Sequence, residues 1–200
     1  MAISMKAIEK KIIRFTIKGT SPLIQHQWSE KAKREMREKH AGKKTKVREV
    51  RKPKEEFQNA CYLTDNDEYG LPLMAFKNSL ISAAHKDIGI EKTLVRKAFF
   101  IKTTDSNLIS KMDCSDPVMR EDMVRVGVGS ADMRYRPEFK QWATTIECEV
   151  DGQLLTIDDV VNLVNRAGFG VGIGEWRPEK SGEYGRFEID ASKPVEVLEG

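Results

Sequence analysis

Hydrophobic and polar residues alternate along two stretches of the chain, and a period of two is typical of strands with one buried face. In the first stretch Ile13, Phe15 and Ile17 alternate with polar residues, and Gly19 ends the run. The second and longer stretch covers residues 141–150, with large or apolar side chains at the even positions. We therefore expect two half-buried strands, one near the start of the chain and one at residues 141–150.

Two other segments have the period near 3.6 that predicts amphipathic helices. The first begins at Pro72 and ends at Gly89. Its apolar face consists of Leu73, Phe76, Leu80, Ala84 and Ile88. The second helix is expected to begin after an N-cap at Thr156, with Asp159 three residues later as in a capping box, and to stop at Gly168. Its apolar residues are Val160, Leu163, Val164 and Ala167.

Two further strands are expected at residues 94–102 and 184–189, which are rich in aromatic and branched residues. The order of elements is then strand, helix, strand, strand, helix, strand. This order predicts an α+β, ferredoxin-like (RRM-like) βαββαβ domain with a four-stranded antiparallel sheet. The whole chain, 1–200, forms this single domain, with a basic insertion at 20–69 and a second insertion at 103–139. Residues 123–128 and 133–136 of the second insertion could form a hairpin.

The composition excludes several classes of protein. No apolar run approaches the roughly 20 residues that a membrane helix requires. The three cysteines are far apart and form no CxxC pair, which argues against a disulfide framework and against a zinc site. The first residues contain no apolar signal-peptide region. We therefore expect a cytoplasmic protein without a membrane, metal or cofactor partner.

Positive charge is concentrated in the first insertion. Between Lys31 and Lys54 there are twelve Lys or Arg residues and three acids, whereas the whole chain has a net charge of only +3. The segment has almost no apolar stripe, so it is either a solvated helix and loop or a disordered insertion that orders on binding. Such a cluster of cations suits contact with phosphates. Its candidate contact residues are Lys43, Lys44, Lys46, Arg48 and Arg51.

The segment 168–186 is rich in glycine, which lets a backbone take positive φ angles and approach a ligand closely. Successive N–H groups in such a loop can bind an anion. Aromatic and cationic residues lie between the glycines and are candidates for base stacking and phosphate contact. They are Trp176, Arg177, Lys180, Tyr184 and Arg186. The alternative is a connector whose glycines only make turns, with Trp176 covering the core.

A third candidate region is the possible hairpin. Arg134, Tyr135 and Arg136 follow one another there, with Arg120 and Arg125 nearby. Arginine next to an aromatic ring suits contact with a single strand. A hairpin that only packs on its own sheet is the alternative.

A glycine-rich loop between the second helix and the last strand resembles the repeat-associated mysterious protein (RAMP) superfamily. The segment from Gly70 to Leu80 is similar to the opening of the first helix in its CRISPR effector backbone subunits. The matching pieces cover roughly residues 11–19, 70–102 and 140–190, and the whole sequence resembles small phage and prophage proteins. The resemblance implies binding of RNA, and self-association along a strand as a homo-oligomer or filament.

Few residues suggest catalysis. His26 is a weak candidate, because it follows the first strand near where RAMP ribonucleases place a catalytic histidine. The acids Asp65, Asp67 and Glu68 lie in a segment better interpreted as a turn. The sequence thus favours a protein that binds RNA or single-stranded DNA without catalysis. The alternatives are a RAMP-type, metal-independent endoribonuclease, and a phage interaction or inhibitor protein that mimics a subunit of a host complex.

Overall fold

The computed structural model describes residues 7–28, 30–42, 50–125, 129 and 131–198. It is a mixed α/β structure with antiparallel sheets, as the sequence predicts. At the centre of the large sheet, strands β1 (Lys10–Gly19) and β8 (Trp142–Asp151) pair along their whole length. The two alternating stretches of the sequence are these two strands.

Each outer side of this central pair is occupied by two short strands. Beyond β1 lie β9 (Phe187–Ile189) and β10 (Glu196–Leu198), and beyond β8 lie β4 (Phe99–Lys102) and β5 (Ile109–Cys114). Strand β3 (Gly70–Pro72) extends the sheet next to β5. The sheet therefore has seven strands instead of the four expected.

The predicted amphipathic helices are α3 (Leu73–Asp87) and α5 (Ile157–Arg166). Phe76 of α3 lies at the centre of the core, with its ring 5.9–6.4 Å from the rings of Phe15, Phe99 and Phe187. The N-terminus of α5 has the predicted capping box, in which Thr156 and Asp159 bond reciprocally. Since a fully buried Phe contributes about 1.5–3 kcal/mol by burial alone, this cluster fixes α3 on the sheet.

A smaller sheet contains the predicted hairpin. Its strands are β2 (Leu23–Ile24), β6 (Val118–Arg125) and β7 (Ala131–Phe139), with β7 in the middle. The pairing of β6 with β7 confirms the hairpin and extends it beyond the predicted segments. Residues 126–128 and 130, at its tip, lie outside the described residues.

The other helices are α1 (Glu30–His40), α2 (Pro53–Asn59) and α4 (Lys92–Ala98). Helix α1 lies in the basic insertion, and none of its described side chains is buried. Within the described residues, none of the helices is both long enough and apolar enough to cross a bilayer.

Three predicted elements differ from the structure. Residues 94–98 belong to α4 and not to a strand, because the buried residues Val95 and Ala98 are three apart, a helical spacing. The second amphipathic helix does not stop at Gly168 but continues as a π-helix, Ala167–Val171, and Gly172 with φ +71° ends it. The strand expected at residues 184–189 begins only at Phe187, as β9.

Candidate nucleic-acid interface

The glycine-rich loop folds tightly against itself and against β2. A Cβ atom on Gly185 would lie 1.7 Å from the Ile173 carbonyl oxygen, and one on Gly182 would lie 1.8 Å from the Trp176 carbonyl oxygen. The N–H groups of Ile173 and Gly185 donate to the carbonyls of Gly185 and Pro22. These glycines thus serve close packing, and these N–H groups are not available to an anion. The loop has a fixed shape that presents its side chains.

Trp176 and Tyr184 form an aromatic pair on this loop. Their ring centroids are 6.2 Å apart, and the rings meet edge to face. The guanidinium of Arg120, on β6, lies 5.4 Å from the Trp176 ring and 5.0 Å from the Tyr184 ring. Arg120 also pairs with Asp122 and Glu138 of the hairpin. The structure therefore brings together the loop and the hairpin, two regions that the sequence indicated separately.

A buried ion pair makes a second connection between the hairpin and the loop. The side chain of Arg136 is only 3% exposed, and it pairs with Asp122 at 3.4 Å and with Glu175 at 3.3 Å. Asp122 is as buried as Arg136, whereas Glu175 is 38% exposed. Removing one partner of the buried pair Arg136–Asp122 would cost about 3–5 kcal/mol. Arg136 therefore holds the hairpin and the loop together and is not exposed to a ligand.

The neighbours of Arg136 in the sequence have different positions. Arg134 shares its face of the hairpin, because side chains alternate along a strand, whereas Tyr135 lies on the opposite face. The three predicted residues of this segment do not act as one group. Arg134 contacts Asp132 at 3.5 Å and the Nδ1 atom of His26 at 3.1 Å.

The two arginines of the loop differ in their contacts. Arg177 donates to Glu179 and to the Gly174 carbonyl, and Glu179 also accepts from Ser82 of α3. Its charge is therefore compensated within the protein. The guanidinium of Arg186 instead lies 4.9 Å from the Phe169 ring, and its Nε atom is buried without an acceptor. Of the two, Arg186 is the one without a carboxylate partner among the described residues.

His26 lines a pocket of about 170 Å³ between β2, the start of α3 and the loop. Tyr62, Glu175 and Arg177 also line it. Burial lowers the pKa of His26, and the charges of Arg136 and Arg134 lower it further. The histidine is therefore neutral near pH 7, and its Nδ1 can accept the hydrogen bond from Arg134. Burial also raises the pKa of Tyr62.

The basic insertion is described only in part. Lys43, Lys44, Lys46 and Arg48 lie outside the described residues. Arg51 pairs with Glu56 at 3.1 Å and with Asp132 of β7 at 3.0 Å, and it also donates to the Met133 carbonyl. It thus connects the end of the insertion to the hairpin. Lys180 lies exposed in a short 3₁₀ turn of the loop.

The comparison with solved structures finds similar folds. One is a chain of the structure entitled "Cryo-EM structure of the Type III-B Cmr-beta bound to cognate target RNA", with a TM-score of 0.54 and 10% identity. The match covers 94% of this chain, which spans 61% of the length of that one. At this identity the likeness shows a shared fold. No family model matches this sequence, and no curated protein matches it.

A second similar structure is that of Cmr6 from Pyrococcus furiosus, with a TM-score of 0.44 and 11% identity. The match covers 92% of this chain and 100% of that one. At that TM-score it carries no argument about this protein.

The sequence reasoning missed Phe169, which the π-helix presents to solvent with 72% of its surface exposed. The available signal was a large aromatic residue between two glycines, Gly168 and Gly170. In the sequence this looked like the end of a helix. Only the continuation of the helix as a π-helix places this ring at the surface.

Proposed function

We propose that this protein binds single-stranded nucleic acid, RNA or single-stranded DNA, on the surface where the loop meets the hairpin. We call this the loop–hairpin surface and define it by Arg120, Trp176, Lys180, Tyr184 and Arg186. The observation that carries the proposal is the position of the Arg120 guanidinium against the rings of Trp176 and Tyr184. Arg120, whose charge Asp122 and Glu138 compensate, holds these two rings against the hairpin. Partly exposed aromatic rings suit stacking with the bases of a single strand, and cations beside them suit its phosphates.

The charges of this surface support phosphate contact. Among the described residues, neither Lys180 nor Arg186 has an acidic partner. A phosphate that contacts Lys180 or Arg186 does not have to replace a carboxylate of the protein. The contact releases counterions into solution, and this release favours binding. Arg177, whose charge Glu179 compensates, has instead the role of fixing the loop in shape.

The open face of the large sheet is a poor alternative. RRM domains stack bases on aromatic residues of this face. Here it carries a ladder of ion pairs, with Arg14 and Lys102 on Glu147 and Lys18 near Glu188. A nucleic-acid strand bound on this face would meet carboxylates that already compensate the cations. The loop–hairpin surface is therefore the better candidate.

The shared fold favours RNA as the first ligand to test, because the structure with a TM-score of 0.54 is described as bound to cognate target RNA. Together with the glycine-rich loop, it supports the proposal of a RAMP-type, CRISPR-related protein, whereas the phage or prophage kind rests on the resemblance of the sequence alone. Such a protein would act in the cytoplasm of a bacterial or phage-infected cell, alone or as copies assembled along the strand.

The test measures fluorescence anisotropy with a labelled RNA, its single-stranded DNA equivalent and the duplex, all in EDTA. We expect the single strands to bind more tightly than the duplex. Tyr184→Ala should weaken single-strand binding by the ~1–3 kcal/mol of one stacked base. Phe100→Ala is the matched control, because Phe100 is also an exposed aromatic beside a cation, Lys77, but lies on β4. Absence of binding by the natural protein to any strand would refute the proposal.

A metal-independent endoribonuclease is the second candidate. The observation that favours it is the pocket in which a neutral His26 lies with Tyr62 and Glu175. The test is gel analysis of the same RNA after long incubation in EDTA. Cleavage that disappears in a folded His26→Ala variant would establish this activity, since general acid–base catalysis contributes about 10²–10⁴-fold in rate. Intact RNA is the outcome that the leading proposal predicts.

A further inference from the structure

Among the residues that the structure describes, two phenylalanines lie exposed at the surface with a cation over the ring. One is Phe100, which is 50% exposed and has the Lys77 ammonium 4.6 Å from its centroid. The other is Phe169, which is 72% exposed and has the Arg186 guanidinium 4.9 Å from its centroid. Phe169 differs in its backbone, because it lies in a π-helix. Single π-helical turns occur frequently at functional sites.

The backbone around Phe169 holds the ring in place. Gly168 is buried, and a Cβ atom there would lie 1.8 Å from the Phe187 carbonyl oxygen, so the segment is packed directly against β9. Gly172 at φ +71° ends the π-helix, and its N–H donates to the Ala167 carbonyl. The backbone that carries the exposed ring is thus fixed, and a ligand that covers the ring does not have to order this segment, which favours binding.

Arg186 is held beside this ring by its own backbone. Its N–H donates to the Ser21 hydroxyl, and its carbonyl accepts from the Thr20 N–H. Its Nε is buried without an acceptor, and among the described residues no carboxylate pairs with the guanidinium. Because no carboxylate of the described residues compensates this charge, an anion that arrives with a ligand would be favoured at the guanidinium.

We propose that Phe169 and Arg186 form a nucleotide subsite, in which a base stacks on the Phe169 ring and its phosphate contacts the Arg186 guanidinium. A nucleotide has both chemical features that this pair can recognise, a flat π-surface and an anion. An apolar side chain of a protein partner would cover the ring but leave the guanidinium without an acceptor. The inference rests on the proposed function and extends the loop–hairpin surface by one stacking position.

The experiment compares two probes of equal length, an oligothymidylate and an abasic oligomer with the same number of phosphates. Phe169→Ala should weaken binding of the oligothymidylate roughly 5- to 150-fold and leave binding of the abasic strand unchanged, since only the first strand has bases to stack. Arg186→Gln should weaken binding of both strands and make the slope of log affinity against log salt shallower by about 0.7.

Three controls make the result specific. Phe169→Tyr keeps a stacking ring and should bind like the natural protein, whereas Phe169→Leu is apolar but cannot stack and should behave like Phe169→Ala. Phe100→Ala should change neither the affinity for the oligothymidylate nor the affinity for the abasic strand. Thermal unfolding of each variant should stay close to that of the natural protein, because Phe169 is mostly exposed.

The outcomes separate this inference from the function on which it rests. If the natural protein binds neither strand nor the labelled RNA, the proposed function fails. If it binds that RNA but not the oligothymidylate, only the subsite is refuted, because stacking on a ring is tolerant of sequence. If it binds oligothymidylate and Phe169→Ala binds equally well, only the subsite is refuted. Equal weakening on the abasic strand would also refute stacking by Phe169. A change in self-association measured by light scattering, with strand affinity intact, would assign the ring to a protein contact and overturn the proposal.

Discussion

Trp176 has a backbone conformation that is unfavourable for its residue type, and this allows its roles in folding and in binding to be separated. Its φ angle is +53°, in the left-handed region. This region costs a non-glycine residue about 1–2 kcal/mol. Glycine adopts it freely but loses roughly 0.5–1 kcal/mol more conformational entropy on folding than alanine. We therefore expect Trp176→Gly to be about 0.5–1 kcal/mol more stable than Trp176→Ala, the reverse of the usual order.

The burial of the side chain sets the size of the folding effect. Trp176 is 41% exposed. A tryptophan buries up to about 250 Å², so about 150 Å² is covered here. At about 25 cal/mol per Å², and after reduction for a compact unfolded chain, Trp176→Ala should cost about 2–3 kcal/mol of the free energy of unfolding. For a chain of this length that corresponds to a fall in Tm of roughly 4–12 °C, with Trp176→Gly melting roughly 1–4 °C higher than Trp176→Ala.

The assay measures Tm and single-strand affinity on the same samples of both variants. Below the melting transition, both should lose the same ~1–3 kcal/mol of affinity, since neither residue can stack on a base. If Trp176→Gly melts below Trp176→Ala, the argument from the φ angle is wrong. If both variants bind like the natural protein while their Tm falls, Trp176 only covers the core, and its role in binding is refuted.

Three further predictions follow from other parts of the molecule. Because the pKa of His26 is lowered in the folded state, the unfolded chain binds the proton more readily as the pH falls. The stability of the protein should therefore fall as the pH drops below ~6.5. Tm measured from pH 7.5 to 5 should fall less for His26→Gln than for the natural protein. Gly168→Ala should lower Tm strongly, because its Cβ would lie 1.8 Å from the Phe187 carbonyl oxygen. Gly170→Ala should melt within a few degrees of the natural protein, because its Cβ would meet only the end of the Asp87 side chain, at 3.3 Å, which can move aside. Equal effects of the two substitutions would contradict the steric argument. A variant in which a short Gly/Ser bridge replaces residues 31–50, so that Arg51 is retained, should still unfold in one cooperative thermal transition. Its log affinity for a single strand should depend less steeply on log salt concentration. An unchanged slope would exclude the insertion from the binding surface.

The sequence by itself determined the elements whose pattern is local. The alternation at Ile13, Phe15 and Ile17 predicted β1, because one face of a strand that packs on a core must be apolar at every second position. The capping box at Thr156 and the helical spacing of Phe76 and Leu80 likewise depend only on residues a few positions apart. The glycine-rich loop was visible for the same reason, since its composition is unusual within one short segment.

Tertiary structure decided the features that depend on residues far apart in the chain. Arg136 and Arg120 are the same residue type on the same hairpin. Arg136 is buried between Asp122 and Glu175, whereas Arg120 lies against two aromatic rings of the loop. The seven-stranded sheet likewise depends on which short segments find a free edge beside β1 or β8. Such pairings are set by long-range packing, which no local pattern contains. The sequence therefore indicated which residue types suit contact with a nucleic acid, and the fold decided which of the described ones are paired with carboxylates inside the protein.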